Sequence, residues 1–501
     1  MKDGKDIPGP PEQVQDRPAV AARGHLRSGR RRAAARGVLW SLVNMLTATL
    51  TTAVVFLVTS RFLAPVDFGV VAMAVALVSL AGVVAPIAFG EALIQRADVT
   101  DDHLDTVFWI TFGIGALVYV LIALAAPAIA VATRTPVLAL LLPFIGLRLV
   151  FEVLATVPNA LIVRAMKFRL IALRTAVANL AGGAICLAMV WQGFGLWALA
   201  ASQVIIPLAA LLVLIPAAGW RPGRRVRRQA VADLWHYGVF ASGNRLLQMM
   251  RLDQLLIGLL AGPAVLGAYF FAFRLFQILT DLTAGVMSPV SHVLMASLHD
   301  DPAKRREAFL VASFVAAAMA FPIFAGLIVV ADSAVPLVFG PHWADAVPAV
   351  QGLAVIGLLA GVSIVQAALI LGMGRADWWF RYQALVQFSL LPLLAVLIDE
   401  GLATMIAGMV AHRILLWPIS VWMTLRLTHL TLTPYLRNLA CPAAGTVAMV
   451  AAVLALRPLA VSWAPGWGLG LEILTGVAVY LLVAGILCRT RLRSIIAALR
   501  G

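Results

Sequence analysis

RFLAPVDFGVVAMA, residues 61–74, and LLAGPAVLGAYFFA, residues 259–272, share a proline followed four residues later by a glycine, so Pro65 and Gly69 correspond to Pro263 and Gly267. Each stretch follows the first of six apolar segments. An even number of segments gives both sets the same orientation in a bilayer. That pattern describes parallel repeats, a transporter architecture in which the substrate path runs between two halves.

The rest of the chain supplies the membrane segments this reading needs. Of 501 residues, 62% are hydrophobic and 12% charged, against about 25% charged in a soluble domain. Windows long enough to span a bilayer, roughly 20 residues, recur at 37–60, 68–90, 106–131, 137–163, 171–191 and 194–218. A second set lies at 235–260, 266–290, 309–331, 347–371, 381–398 and 402–424, and a last pair at 437–457 and 466–488. The expected fold is an all-α integral membrane protein of about fourteen transmembrane helices, two six-helix lobes in parallel repeat plus a C-terminal helix pair.

Charge sets the orientation. With the N-terminus placed in the cytoplasm, alternate loops divide the 38 Lys and Arg into 30 inside, three outside (Arg61, Arg134, Arg457) and five within helices (Arg148, Arg245, Arg251, Arg274, Arg413). Such asymmetry puts both termini in the cytoplasm. It also removes nucleic acid as the reason for the net charge of +15, because the basic residues are spread over many loops. The expected divisions are a basic disordered tail (1–36), an N-lobe (37–218), a basic linker (219–234), a C-lobe (235–424), an extra helix pair (425–488) and a basic tail (489–501). The densest loop, Arg221 to Arg228, reads as an anchor beside anionic lipid. Cys186, Cys441 and Cys488 lack CxxC spacing and read as packing residues, neither a metal site nor a disulfide.

Ionisable groups at membrane depth cost about 2.5–3.5 kcal/mol each, so they face a cavity or a partner. Arg274, Gln277 and Asp281 share one face of the eighth helix, and Asn244, Gln248 and Arg251 form a similar stripe on the seventh. With the turn centred near Pro263, Asp253 and Arg274 come to the same level, and an ion pair between them is expected. Arg148 and Glu152 are spaced for a pair within one helix, and Arg245 lies near enough to the cytoplasmic end to snorkel. A membrane enzyme needs a soluble domain or an acidic cluster. The outer loop 331–348 offers Asp332, His342 and Asp345, and an inner turn offers Asp98, Asp101, Asp102, His103 and Asp105, without catalytic or metal-ligand spacing. No enzyme activity, cofactor or metal is expected.

Several strings occur in order: RFLAPVDFG at 61–69, GEALIQR at 90–96, HLDTVFW at 103–109, Pro158 with Arg164 and KFR at 167–169, the hairpin from Asp253 to Tyr269, and GPHW at 340–343. Together they resemble the oligosaccharide flippase, or polysaccharide transporter, family of the multidrug/oligosaccharidyl-lipid/polysaccharide exporter superfamily. The resemblance covers Gly37 to Thr428. It implies two lobes around a central cavity, alternating access, a polyprenyl-diphosphate oligosaccharide as cargo, residence in the cell inner or plasma membrane, and a pathway shared with glycosyltransferases and a polysaccharide polymerase. Substrate binding is then expected at Arg251, Arg274, Arg245, Arg148, Asn244, Gln248 and Gln277, with Asp253, Asp281 and Glu152 serving ion coupling or structural pairing. A lipid II-type flippase and a cation-coupled drug exporter are alternatives on the same fold; a membrane glycosyltransferase or ligase is a further one.

Overall fold

A computed structural model describes residues 30–82, 88–96, 98–223, 226–227, 251–296, 302–460, 464–489 and 491, all helical or irregular. The helices are α1 (Arg30–Phe62), α2 (Pro65–Gly82), α3 (Ala88–Gln95), α4 (Asp101–Ala132), α5 (Leu138–Leu154), α6 (Thr156–Arg164), α7 (Phe168–Trp191) and α8 (Leu196–Ala218). They continue with α9 (Leu252–Leu260), α10 (Gly262–Ala296), α11 (Pro302–Phe339), α12 (Val347–Gly372), α13 (Ala376–Leu397), α14 (Leu402–Thr428), α15 (Leu432–Ala460) and α16 (Pro465–Leu487).

Among the described residues twelve helices are long and apolar enough to cross a membrane, thirteen when α5 and α6, bent by 41° at their junction, count as one. The protein is therefore a multi-pass membrane protein. The seventh predicted span is described only from Arg251 onward, so the expected fourteen is not reached in the described residues. α1 begins at Arg30 and takes in residues expected in the tail.

Local chemistry explains the element boundaries. Pro65 opens α2, where a missing N–H costs nothing, and the Asp67 carboxylate accepts the Ala64 N–H at 3.1 Å. Gly262, at φ +84°, turns the chain between α9 and α10. α7 packs on α1 and α8, and α5 on α4, α8 and α2. α12 packs on α10, α11 and α14, while α15 and α16 pair with each other and lie against α11.

The two halves meet where α2 crosses α10. A Cβ on Gly69 would overlap the carbonyl oxygen of Pro263, and one on Gly267 would overlap that of Pro65. Two backbones approach this closely only where both helices lack side chains, the small-residue packing that holds helices together in lipid. The repeated Pro-x-x-x-Gly motif is thus a reciprocal contact, each copy seated on the other.

Two expectations need correction. Cys441 and Cys488 form a disulfide, with Cα atoms 5.9 Å apart, joining the first turns of α15 to the end of α16; only Cys186 is a free, buried thiol. Sequence separation hid this, because antiparallel helices return the chain to its starting level. The outer stretch 331–348 is not a loop: α11 runs to Phe339 and a 3₁₀ turn fills Pro341–Ala346. Asp332 pairs there with Arg457 at 3.1 Å.

Candidate functional site

Three adjoining cavities, of about 460, 300 and 260 Å³, run through the middle of the molecule. The largest lies in the first half, between α5, α6, α7 and α8; Arg148, Asn179, Gln203 and Arg274 border both it and the second. Arg251 and Gln277 border both the second cavity and the third, which lies in the other half beside Asp253, Tyr269, His412 and Arg413. Arg148, Arg251, Arg274 and Gln277, expected from sequence to bind substrate, therefore line one connected polar interior.

The charges are unequal. Arg148 holds Glu152 at 2.7 Å, as its i, i+4 spacing predicted, and donates to Gln203 Oε1 at 3.3 Å. Arg174 donates to Asn159 Oδ1 at 2.6 Å. Arg251 lies 5.4 Å from the centre of the Phe273 ring, and Arg274 has only a long 3.5 Å contact to Gln277 Oε1. Among the described residues neither Arg251, Arg274 nor Arg413 has a carboxylate within ion-pair distance.

The expected Asp253–Arg274 pair does not form. α9 ends at Leu260 and α10 starts at Gly262, so the hairpin turns at Ala261, two residues earlier than the sequence reading assumed. Asp253 is eight residues before that point and Tyr269 eight after it, which brings these two level, and the Tyr269 hydroxyl donates to Asp253 Oδ2 at 2.6 Å. Arg274 is left deeper, with no carboxylate at ion-pair distance. Asp281 is exposed and lines none of the three cavities. Asn244, Arg245 and Gln248 lie outside the described residues.

Arg251 adopts a left-handed conformation at φ 34°, ψ 45°, directly before the first turn of α9. For a residue with a Cβ this costs about 1–3 kcal/mol and persists only where the surroundings impose it. The ring of Phe273 and the start of α9 fix the Arg251 guanidinium facing the cavity. Tyr269→Phe removes the donor from Asp253 and strands a part-buried acceptor. It is expected to lower stability by about 1–3 kcal/mol, read as a fall in the thermal unfolding temperature in lipid nanodiscs; an unchanged temperature would mean that the bond is dispensable.

The residues that sequence reasoning missed are Arg174, Asn159, Asn179 and Gln203, all lining the largest cavity. Arg174 was counted with the cytoplasmic loop because it lies near the start of its helix. The signal was present in the four-residue spacing of Thr175 and Asn179, whose amide donates to the Thr175 carbonyl at 2.8 Å.

One end of this interior is sealed. Trp343 Nε1 donates to the Ser60 carbonyl at 2.8 Å, and His342 Nε2 lies 2.9 Å from the same oxygen. Arg61 donates to the carbonyls of Leu337 and Val338 at 2.6 and 2.8 Å. Trp343 stacks on Phe271, with centroids 4.1 Å apart, and meets Phe68 edge-on. These contacts join the α1–α2 corner to the end of α11, the face predicted to lie outside. The opposite face is strapped differently: Asp105 accepts the Gly223 N–H at 2.9 Å, Trp109 Nε1 donates to the Gly223 carbonyl at 2.7 Å, and Arg227 pairs with Asp102 at 3.0 Å. Part of the acidic inner turn thus holds the linker between the halves.

The family described as polysaccharide biosynthesis protein matches residues 58–348. The chain is 25% identical to the teichuronic acid biosynthesis protein TuaB of Bacillus subtilis over 374 residues, 74% of this chain and 77% of that one. It is 25% identical to the lipopolysaccharide biosynthesis protein WzxC of Escherichia coli over 338 residues, 66% and 68% of the two chains. In structure it is similar to the lipid II flippase MurJ in an inward closed conformation, with a TM-score of 0.72 at 12% identity over 91% of this chain and 100% of that one. An inward-facing multidrug transporter of the MATE family aligns with a TM-score of 0.55 at 16% identity, over 78% and 95% of the chains.

Proposed function

Because this chain belongs to the polysaccharide biosynthesis protein family, we propose that it is a flippase carrying a polyprenyl-diphosphate-linked oligosaccharide from the inner to the outer leaflet of the cytoplasmic membrane. The observation that carries this reading is the set of arginines without carboxylates, Arg251, Arg274 and Arg413, around the central cavities. A guanidinium in a low-dielectric interior demands an anion, and its planar fork suits phosphate oxygens.

In this reading the diphosphate sits between Arg251 and Arg274. The sugars occupy the largest cavity, where Asn159, Asn179 and Gln203 offer hydrogen bonds, and the lipid tail stays in the bilayer. The N-lobe, 37–218, and the C-lobe, 235–424, rock against each other. The seal at Arg61, His342 and Trp343 breaks as the inner side closes. The 219–234 linker, both termini and the basic loops lie in the cytoplasm beside anionic lipid, and glycosyltransferases and a polymerase work upstream and downstream. Transport rather than bond-making is the whole activity. A drug exporter is disfavoured because a cationic cargo would meet three arginines that have no carboxylate at ion-pair distance.

Proteoliposomes loaded with a fluorescent polyprenyl-diphosphate oligosaccharide report headgroup translocation by loss of quenching from one side. Purified protein is expected to raise translocation at least tenfold over empty vesicles, and to leave a polyprenyl oligosaccharide lacking the diphosphate near background. Equal movement of both lipids would refute the cationic-cavity reading, and movement of neither would refute the flippase.

A further inference from the structure

Away from the central cavities, α16 carries a carboxyl at membrane depth that no other residue explains. Glu472 is 3% exposed, and its Oε2 is buried without a hydrogen-bond donor. It stands seven residues into α16, about 10 Å below the start of that helix at 1.5 Å per residue. It faces a separate cleft of about 280 Å³ between α11 and the α15–α16 pair. The backbone makes the cleft: Gly326 leaves room on α11, Gly476 lets α16 lie close against Met449 and Val453 of α15, and Pro322 interrupts α11. Pro322 has no N–H for the carbonyl of Ala318, so Tyr480, two turns along α16 from Glu472, donates to that oxygen at 2.6 Å.

The remaining lining is apolar, from Leu279 and Val329 to Met449 and Val453, and offers no second polar side chain. Ile473 and Val477 line the cleft and are about half exposed, so its lip opens sideways toward lipid. The neighbouring charges on the packed helices are already engaged: Arg457 holds Asp332, and the Tyr480 hydroxyl is committed to Ala318. Among the described residues none supplies a cation to Glu472.

Those facts restrict the occupant. A phospholipid or a diphosphate would bring a negative charge to a carboxylate. A sugar would bring several hydroxyls to walls that cannot pair them, each costing free energy in an apolar site. What fits is a molecule with one polar group, cationic and hydrogen-bond donating, on a hydrocarbon body, because a charge-assisted hydrogen bond is strongest where water is excluded. We propose that the cleft between α11 and the α15–α16 pair is a binding site for a membrane-dissolved lipophilic amine, whose ammonium pairs with Glu472. It is distinct from the cargo path and does not depend on the flippase reading.

Dicyclohexylcarbodiimide tests this, since it dissolves in lipid and adds to a protonated carboxyl to give an N-acylurea with no group lost. A carboxyl that faces lipid-dissolved reagent without an ion-pair partner is open to it; one held by an ammonium is shielded. The full chain in nanodiscs is treated with the reagent, and adduct at Glu472 is followed by peptide mass spectrometry, with N,N-dimethyldodecylamine or dodecanol present. The amine is expected to slow modification at least tenfold more than the alcohol. Gly326→Leu, which fills open space in the cleft, is expected to keep the adduct and lose the protection; Glu472→Gln marks the peptide's background. Equal protection by alcohol and amine would overturn the proposal, as would protection surviving in Gly326→Leu or the absence of any adduct in wild type treated with the reagent alone.

Discussion

Arg274→Ala is expected to slow headgroup translocation of a polyprenyl-diphosphate oligosaccharide by roughly 10–100-fold while the protein still inserts and unfolds at its usual temperature. Hydrogen bonds to charged groups are worth about 1.5–3 kcal/mol, and each 1.4 kcal/mol is about a factor of ten. Arg274 borders two of the three cavities and has no carboxylate to release, so its loss strands no partner inside the protein. Arg274→Lys keeps the charge without the planar fork and is expected to fall between the two. Arg148→Ala behaves otherwise: it strips Glu152 of its 2.7 Å partner, so lowered stability accompanies lowered transport. Quenching assays beside thermal melts separate these cases; wild-type rates in Arg274→Ala would remove this residue from the site.

Gly267→Ala is the second large effect, and it acts through packing alone. The added methyl would overlap the carbonyl oxygen of Pro65 and stand near the Gly69 amide nitrogen at 3.1 Å. Backbone cannot swing aside as a side chain does, so the two helices must separate along their whole crossing. Overpacking typically costs about 1–3 kcal/mol and occasionally more, and the top of that range is expected here. Gly113→Ala on α4, where an added Cβ meets nothing within 4 Å, is the matched control and should be neutral or slightly stabilising. Unfolding temperatures of the two variants in nanodiscs decide the matter; similar values would show that the crossing yields.

The apolar windows and the Lys/Arg asymmetry were enough to read a polytopic helical protein, and the Pro-x-x-x-Gly pair marked the repeat. Sequence did not reveal that the two copies touch, because self-similarity carries no information about distance. The i, i+4 pair Arg148–Glu152 was legible since one helix fixes both ends. Asp253 and Arg274 were misread because a two-residue error in the turn shifts the level of every residue beyond it, and Tyr269 then reaches Asp253 first. The cavity residues on α7 and α8 went unseen for a different reason: neutral amides such as Asn179 and Gln203 leave hydropathy almost untouched, so a charge census passes over them.

The seal at the α1–α2 corner has a consequence for how this protein tolerates change. Arg61, His342 and Trp343 all contact main-chain carbonyls, those of Ser60, Leu337 and Val338. Every residue type carries such an oxygen, so the receiving positions are interchangeable as far as these bonds go. Recognition at this mouth is written in three side chains and read by bare backbone. These bonds therefore ask nothing of the side chains at Ser60, Leu337 and Val338 and everything of those at Arg61, His342 and Trp343, the opposite of a side-chain ion pair, in which both members are side chains.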